Sequence, residues 1–444
     1  MRKPNIILIM TDDQGYGDLS CMGATDFVTP HLDEMARQGA RFSCMYSNSP
    51  VCSPSRAALL TGRYPGYAGV RAILAGHRRA SGLTGEVPTL ATMLKGAGYH
   101  TGIVGKWHLG LREECRPLQN GFDSFYGFMA GCVDYYSHIF YWGMADGRTN
   151  PCHDLWEGET EVYDNGHYMT ELVTEKSVEY IREHREEPFM LYVAYNAPHY
   201  PMHAPEKYMR RFAHLPWDRQ VMAAMISAVD DGVGEIRAEL ERQGLAEDTI
   251  LYFQSDNGPS RESRNWMDGR EDPYYGGTSG RFTGHKYSLF EGGIRVPGIL
   301  CWPGRIPAGQ VIDAPCAAMD VLPTVLEAAQ ADAGGAALDG QSLLGLLTHG
   351  ETPAQRQLFW EMDDQTAVRE GKYKLVLHGV LVEGEAQRGP VFLSDLEADP
   401  AERVNLAEAM PELTGRLTRD ALGWRQALEQ NWERRFAANY RSLT

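Results

Sequence analysis

The feature that most constrains the fold is a set of short apolar runs, each closed by polar residues. The first run is NIILIM at residues 5–10, which the sequence TDDQ follows at once. A run of this length without polar alternation is typical of a strand buried on both faces of a parallel sheet. Further runs of this kind lie at 101–104, 189–195, 249–255 and 298–302.

Helix-forming segments separate these runs. Residues 29–39 begin with Thr29 as a predicted cap and Pro30 at the first helical position, and they end at Gly39. Residues 222–240 carry apolar side chains at spacings of three and four, which predicts a long amphipathic helix. Strands that alternate with helices predict an α/β fold, in which helices sandwich a large, mostly parallel sheet.

The pattern changes after about residue 350. Residues 365–377 and 390–406 alternate and turn as antiparallel strands do, and a helix is predicted over 411–427. We therefore predict a large α/β domain over residues 1–350, and a small C-terminal α+β subdomain with an antiparallel sheet and a helix over residues 351–444.

Composition excludes several classes of partner. The net charge of −17 argues against nucleic acid or an anionic membrane as the main partner, because both require a basic surface. The eight cysteines show no C-x-x-C pair and no zinc-finger spacing, so we expect them to be mostly reduced. The opening MRKPNIILIM lacks a signal-peptide pattern, which predicts a cytoplasmic location. The oligomeric state is left open.

Polar residues follow four of the predicted strands at the point where each strand ends. Ligands gather outside the carboxyl ends of the strands in open parallel sheets, so we expect these residues to meet. They are Asp12-Asp13, Lys106-Trp107-His108, Ala197-Pro198-His199 and Asp256-Asn257-Gly258.

Two of these segments predict a cation site. Asp12 and Asp13 close a buried strand, where adjacent carboxylates are costly without a positive partner. With Asp256 and Asn257 they offer only oxygen ligands, which suit Ca²⁺ or Mg²⁺ better than zinc. The other Asp-Asp pairs, at 230–231 and 363–364, fall in the long helix and in a polar loop, where we expect solvated charge.

The segment PVCSPSRAALLTGR at 50–63 predicts an oxyanion site. Cys52 lies at the start of a predicted helix that Ser53 can cap and that ends near Gly62, and Arg56 follows one turn later. A helix N-terminus and a guanidinium both favour sulfate or phosphate. A phosphatase with a cysteine nucleophile would need arginine six positions after the cysteine, where this chain has Ala58.

The segment at 52–63 resembles the C-x-P-S-R-x-x-x-L-T-G-R signature of the type I sulfatase family, in the alkaline phosphatase superfamily. Further similarity covers NIILIMTDDQGYGD at the start, GKWHLG at 105–110, APH at 197–199, SDNG at 255–258 and HKYSLFEGGIRVPG at 285–298. The resemblance spans residues 4 to about 303 and implies an alkaline phosphatase-like fold whose catalytic domain is the 1–350 unit.

The resemblance implies that Cys52 is oxidised after synthesis to formylglycine by a maturation enzyme, and that the aldehyde hydrate is the nucleophile. It also implies that a divalent cation is bound at this site, usually Ca²⁺, with Mg²⁺ or Mn²⁺ as alternatives. The implied ligands are Asp12, Asp13, Asp256 and Asn257.

Roles for the remaining catalytic residues follow from the same resemblance. Arg56 steadies the hydrate, and Lys106 and Lys286 grip the sulfate. In the mechanism that we hypothesise, Asp256 accepts the proton of the attacking hydroxyl. His199, helped by Lys286, then protonates the leaving alcohol, and His108 takes the proton of the second hydroxyl so that sulfate departs.

Substrate-binding residues are predicted from two loops and one neighbour of Lys286. DYYSH at 134–138 resembles the same region of the arylsulfatase B or N-acetylgalactosamine-4-sulfatase branch, and HDLW at 153–156 lies in the same part of the chain. Aromatic residues beside Asp and His suit a sugar ring, although the tyrosines could instead only pack the loop. The predicted residues are Asp134, Tyr135, His138, Trp156 and His285.

These observations predict a sulfuric ester hydrolase that releases inorganic sulfate from a small sulfated mono- or oligosaccharide, such as a sulfated hexosamine. A phosphodiester or phosphonate monoester hydrolase of the same superfamily is the alternative. A non-catalytic pseudoenzyme that binds sulfated glycans would lack a ligand or the nucleophile, and the sequence lacks neither.

Overall fold

The structure is a computed structural model that describes residues 3–140, 151–261 and 275–441. Within these ranges, thirteen strands precede residue 350: β1 (Asn5–Thr11), β2 (Ala40–Tyr46), β3 (His100–Lys106), β4 (Ser124–Phe128), β5 (Ile139–Phe140), β6 (Cys152–His153), β7 (Trp156–Glu157), β8 (Thr160–Glu161), β9 (Phe189–Ala194), β10 (Thr249–Ser255), β11 (Arg295–Cys301), β12 (Gln310–Ile312) and β13 (Cys316–Ala317).

Most of these strands form one large sheet. Its order is β12-β2-β11-β10-β1-β9-β3-β4-β7-β8, and β13 also pairs with β2. The five strands β10, β1, β9, β3 and β4 are parallel to one another. β11 is antiparallel to both β10 and β2, so β2 runs in the direction of the central strands. β2 and these five strands therefore end at one side of the sheet, which we call the carboxyl edge, and β11 begins there.

Helices cover both faces of the sheet and complete the C-terminal part of the chain. They are α1 (Pro30–Gln38), α2 (Cys52–Thr61), α3 (Pro65–Ala68), α4 (Leu90–Gly96), α5 (Met169–Glu183), α6 (Glu206–Met209), α7 (Trp217–Arg242), α8 (Glu291–Ile294), α9 (Val321–Ala329), α10 (Leu344–His349), α11 (Pro411–Arg435) and α12 (Ala437–Arg441).

The two faces of the sheet carry separate apolar cores. In β1, Ile7 and Ile9 join the core beneath α1, α5 and α7, whereas Ile6, Leu8 and Met10 join the core beneath α2, α4 and α9. Every residue of β1 is buried, as predicted from the unbroken apolar run. The predicted α/β fold with a mostly parallel sheet is confirmed.

A second, antiparallel sheet follows residue 350. Its strands β14 (Gln357–Met362), β15 (Gln365–Glu370), β16 (Tyr373–Leu377) and β17 (Val391–Asp395) pair in sequence order. The helix α11 is longer than predicted and ends at Arg435. A shared core joins Trp360 and Phe392 of this sheet to Tyr46 and Phe290 of the larger unit. The domain boundary at residue 350 stays a prediction.

The solvated environment predicted for the acidic pair at 230–231 is wrong for Asp230. Asp230 of α7 is buried, and its carboxylate accepts hydrogen bonds from the backbone N–H groups of His31 (3.2 Å) and Leu32 (2.8 Å). This carboxylate, rather than the predicted cap Thr29, satisfies the first amides of α1, and Thr29 makes no capping hydrogen bond. Tertiary packing therefore overrides the local capping signal.

The solvated environment predicted for the other acidic pair agrees with the structure. Asp363 and Asp364 are exposed in the turn between β14 and β15. None of the eight cysteines forms a disulfide. None of the helices in the described ranges has the length and apolar character needed to cross a bilayer.

Candidate functional site

Two carboxylate-bearing segments meet at the carboxyl edge because β1 and β10 are neighbours. Their register pairs Thr11 with Ser255, so the residues that follow each strand lie side by side. The backbone N–H of Asp13 donates to Asp256 Oδ1 at 3.1 Å, and Asn257 Nδ2 donates to Asp13 Oδ1 at 2.6 Å. The predicted pairing of these two segments is therefore present.

Cys52 is brought to the same place by β2 and α2. It is the first residue of α2 and is 2% exposed. The helix ends at Gly62, as expected, and this glycine adopts the left-handed conformation with φ of 65°. The predicted cap Ser53 is wrong, because Val51 occupies the cap position and Ser53 Oγ instead accepts from the N–H of Leu74.

The carboxylates and the thiol form a tight group. One ligand atom from each of Asp12, Asp13, Cys52 and His199 lies within 4.8 Å of each of the others. All four residues are buried. Cys52 therefore sits directly beside two of the predicted cation ligands, Asp12 and Asp13.

Three basic side chains pair with the three carboxylates. Lys106 Nζ lies 2.5 Å from Asp12 Oδ2, and Lys286 Nζ lies 3.1 Å from Asp13 Oδ2. Arg56 Nη2 lies 2.8 Å from Asp256 Oδ2. The charges of these six groups sum to zero, so a divalent cation would give the cleft a charge of about +2 that suits an anionic sulfate ester.

The donor set fits a hard divalent cation. Asp12 Oδ1 and Asn257 Oδ1 are buried and have no hydrogen-bond partner among the described residues. Burial and then the neighbouring charge of Asp12 raise the pKa of Asp256 to about 7. Buried oxygens that lack donors, together with carboxylates that repel one another, are the arrangement that an oxygen-coordinated cation stabilises.

The Cys52 thiol itself is a poor nucleophile in this setting. Burial raises its pKa to about 12, against the opposing charges of Lys106 and Lys286. A thiol with such a pKa stays protonated at neutral pH, whereas the thiolate is the reactive form. The environment of residue 52 therefore favours a nucleophile made by modification over the cysteine itself.

The two predicted catalytic histidines have different hydrogen bonds. His199 Nδ1 donates to the carbonyl of Tyr200 at 2.8 Å, and its Nε2 faces Asp13 Oδ2 at 3.6 Å. His108 Nε2 donates to the carbonyl of Leu74 at 3.1 Å, and its Nδ1 has no hydrogen-bond partner within the described ranges. Burial, followed by the charges of Lys106 and Arg56, lowers the pKa of His108 well below its usual value. His108 is thus neutral and can accept a proton.

Lys286 arrives on a loop rather than at the end of a strand. We call residues 283–291, which precede β11, the Lys286 loop. Gln365 of β15 donates from Nε2 to the carbonyl of Tyr287 (2.8 Å) and accepts at Oε1 from the N–H of Leu289 (3.4 Å). Lys374 of β16 pairs with Glu291 at 2.9 Å. The C-terminal sheet therefore holds the part of this loop that directly follows Lys286.

The predicted substrate residues of the 134–138 loop are engaged in holding that loop. Asp134 Oδ1 accepts hydrogen bonds from the N–H groups of Tyr136 (3.1 Å) and Ser137 (2.6 Å). Tyr135 is fully buried, and its hydroxyl donates to the carbonyls of Asn196 (3.0 Å) and His199 (2.8 Å). His138 is also buried and donates from Nε2 to the carbonyl of His167.

The other two predicted substrate residues lie apart from each other. Trp156 is in the edge strand β7, where its Nε1 donates to Asp154 Oδ1 at 2.7 Å. His285 precedes Lys286, and its Nε2 accepts from Arg261 Nε at 3.4 Å. All five substrate-binding assignments stay predictions.

Sequence reasoning missed two polar residues of the cleft. Tyr192 lies within β9, and Arg56 Nη1 donates to its hydroxyl at 3.4 Å. No sequence signal marks a tyrosine inside an apolar run. Asn196 follows β9 at the carboxyl edge and is buried. The rule that selected His199 could have found Asn196, because both residues follow the same strand.

Family comparisons agree with this geometry. A model of the family described as Sulfatase matches residues 4–331. The chain belongs to the sulfatase family. A second sulfatase model, described as N-sulphoglucosamine sulphohydrolase, C-terminal, matches residues 280–420. A divalent metal ion and formylglycine are typical of this family's enzymes.

Individual relatives are also sulfatases by name. The N-acetylgalactosamine-6-sulfatase of Mus musculus is 34% identical over 394 residues, which cover 84% of this chain and 72% of the relative. Arylsulfatase J of Mus musculus is 29% identical over 94% of this chain and 75% of its own length. Among solved structures, Ps i-CgsB in complex with k-i-k-neocarrahexaose has a TM-score of 0.83 and 30% identity, covering 95% of this chain and 93% of that one.

Proposed function

We propose that this sulfatase hydrolyses the sulfate ester of a small sulfated carbohydrate, with Ca²⁺ as its metal and formylglycine, made from Cys52 by a maturation enzyme, as its nucleophile. The observation that carries the proposal is the convergence of Asp12, Asp13 and His199 on Cys52 within 4.8 Å. That arrangement sets an oxygen-rich cation site beside the residue that carries the reactive group.

The cation ligands are Asp12, Asp13, Asp256 and Asn257. Their oxygens are those that Ca²⁺ prefers, and the set offers no histidine or thiolate of its own that would favour zinc. When bound, the cation supplies positive charge to sulfuryl oxygens and the formylglycine supplies a hydrated aldehyde as nucleophile.

The chain's own side chains bind the sulfate and move the protons. Lys106 and Lys286, already in the cleft beside Asp12 and Asp13, bind sulfuryl oxygens and offset their developing charge. His199, with Nδ1 fixed by the Tyr200 carbonyl, presents Nε2 to the leaving oxygen and protonates it. His108 Nδ1 accepts the proton whose removal allows sulfate to leave.

A sulfated carbohydrate is the substrate class that the relatives support. The Mus musculus relative is named for a sulfatase activity on N-acetylgalactosamine, and Ps i-CgsB was crystallised in complex with an oligosaccharide. The loop at 134–138 reaches the catalytic residues, since Tyr135 binds the backbone of Asn196 and His199. Asp134 and His138 on that loop are accordingly our candidates for contacts to the sugar.

The test is a comparison of substrates on protein in which the mass of the peptide containing residue 52 proves conversion. We expect release of sulfate from 4-nitrophenyl sulfate and from members of a panel of sulfated monosaccharides. A higher kcat/KM on a phosphonate monoester than on every sulfate ester would contradict the proposal and favour the phosphonate hydrolase alternative.

The matched variants are Cys52→Ala and Cys21→Ala. Cys52→Ala lacks the only precursor of the nucleophile. Its turnover should be at least about 10⁴-fold lower than that of the converted parent, the scale seen when a nucleophile is removed. Cys21 is an unpaired, partly buried thiol elsewhere in the chain, and its replacement should leave kcat near the parent value. Near-parent turnover by Cys52→Ala would contradict the role of Cys52 as the precursor of the nucleophile.

A further inference from the structure

Asn196 is a buried polar residue that the mechanism above does not use. It is 1% exposed, and neither Oδ1 nor Nδ2 of its side chain has a hydrogen-bond partner among the described residues. A buried carboxamide without partners costs free energy, so its retention calls for a ligand.

The side chain of Asn196 faces the catalytic side of the sheet. Its neighbours Tyr195 and Ala197 both join the core beneath α5 and α7, whereas Tyr192 and Ala194 join the core beneath α2. Side chains alternate along an extended chain, so Asn196 points to the same side as Tyr192. Tyr192 is the residue whose hydroxyl accepts from Arg56.

Strand order places Asn196 between Asp12, which follows β1, and Lys106, which ends β3. Ala194 pairs with Met10 of β1 and with Gly105 of β3. Two residues further on, Asn196 follows the end of β9 and lies next to the residues that follow β1 and β3. The hydrogen bond from the N–H of Asp12 to the carbonyl of Ala197 shows that β1 and β9 stay in contact beyond their ends.

The backbone of Asn196 is fixed on the opposite side. Its carbonyl accepts from the Tyr135 hydroxyl at 3.0 Å and from the N–H of His199 at 2.9 Å. The side chain therefore projects from an anchored segment, and an oxyanion that it binds meets a donor held in place before the ligand arrives.

We propose that Asn196 is a further substrate-contacting residue of this site, whose Nδ2 donates a hydrogen bond to an oxygen of the sulfate group between Lys106 and the cation ligands. The proposal rests on the sulfatase activity proposed above. It implies that Asn196 binds the product sulfate as well as the ester, because both present the same oxygens.

The experiment compares Asn196→Ala and Asn196→Asp with the parent in two measurements: kcat/KM on 4-nitrophenyl sulfate and the inhibition constant of inorganic sulfate. Loss of one donor to an anionic oxygen should lower kcat/KM by about 10- to 100-fold and weaken sulfate inhibition in parallel. Asn196→Asp conserves size but points a carboxylate at the anion, so its losses should exceed those of Asn196→Ala.

Asn5→Ala is the matched control. Asn5 is another fully buried asparagine, at the start of β1 on the opposite edge of the same sheet, and its side chain binds Thr249 and the N–H of Phe189. This change should lower the melting temperature while leaving kcat/KM and sulfate inhibition of the folded protein unchanged.

Each outcome of this experiment either supports or contradicts the role proposed for Asn196 or the proposed function. Values within twofold of the parent for both Asn196 variants would overturn the proposal, and so would failure of both variants to fold, because Asn196 would then be a folding residue. Equal sulfate inhibition with reduced kcat would also overturn it. A parent that turns over no sulfate ester would instead refute the proposed function, since that result does not depend on Asn196.

Discussion

The two halves of the catalytic cleft are positioned by different means. Asp12, Asp13, Asp256 and Asn257 follow β1 and β10 directly, so the register of two paired strands sets their places. We call these four residues the ligand half of the cleft. The loop half contains Lys286, which lies on a loop ahead of the antiparallel strand β11, and side chains of the C-terminal sheet hold that loop.

This difference separates the cation ligands from Lys286, one of the two lysines proposed to bind sulfate. The ligand half of the cleft depends on paired strands of the large sheet. The loop half depends on residues about eighty positions later in the chain, including Gln365 and Lys374. A change in the C-terminal sheet should therefore disturb the grip on sulfate while the cation site stays intact.

The largest expected effect comes from the ligand half. Treatment with a chelator should abolish turnover, and Ca²⁺ should restore it. In Asn257→Ala the cation loses an oxygen ligand, so we expect at least about a 100-fold higher Ca²⁺ concentration for half-maximal activity, the upper scale of effects from disturbed metal ligation. Calcium titration of the chelated enzyme measures this.

Asn405→Ala is the control for the ligand half. Asn405 lies in the C-terminal unit, where its Oδ1 accepts from the N–H groups of Leu393 and Ala407 at 3.0 Å each. Its calcium requirement should match that of the parent. Full activity of the chelated parent would contradict the assignment of the ligand half as a cation site, because the cation would then have no part in turnover.

An intermediate effect is expected from the loop half. Gln365→Ala leaves the carbonyl of Tyr287 and the N–H of Leu289 without their side-chain partner, which loosens the loop around Lys286. Misplacement of a substrate-positioning group by about 1 Å costs on the order of 100-fold, so we expect kcat/KM to fall by about 10- to 100-fold. The calcium requirement should not change.

Gln357→Ala is the matched control for that prediction. Gln357 is in the adjacent strand β14, and its side chain binds Glu370 and Asp420 rather than the Lys286 loop. Its kcat/KM should stay within about twofold of the parent, as expected for a surface change. If Gln365→Ala raised the calcium requirement as much as it lowered kcat/KM, the two halves would not be separable.

The smallest effect concerns pH. The pKa of His108 is lowered, so the neutral imidazole that accepts a proton persists as pH falls through 6.5 and is lost only well below that value. We expect kcat to change by less than about twofold between pH 7.5 and 6.5 on this account. A profile of kcat against pH whose acidic limb is centred at or above 6.5, and which is absent in His108→Ala, would contradict this.

The fold was predictable wherever one local pattern was strong. The run 5–10 and the spacing in 222–240 predicted β1 and α7, and the strand ends predicted the ligand half of the cleft. Asp230 was not predictable, because the residue that caps α1 lies about two hundred positions away in α7. Contacts of that range are properties of packing rather than of neighbouring residues.

The site was predictable for residues that follow strands or match a motif. Gln365 escapes both rules, since nothing in QTAVREG marks a glutamine whose amide holds the loop of another unit. Tyr135 illustrates a choice that the sequence left open: its aromatic character suited either a sugar contact or loop packing, and the structure buries the ring and directs its hydroxyl to backbone carbonyls.

The burial of Cys52 has a consequence for the timing of biosynthesis. The residue forms the first turn of a helix enclosed by the sheet, and only 2% of its surface is accessible. A second protein cannot reach that sulfur once the helix has docked. We therefore expect oxidation to precede folding, so that chains which fold with an unmodified Cys52 stay inactive, and the yield of active enzyme depends on the relative rates of oxidation and folding.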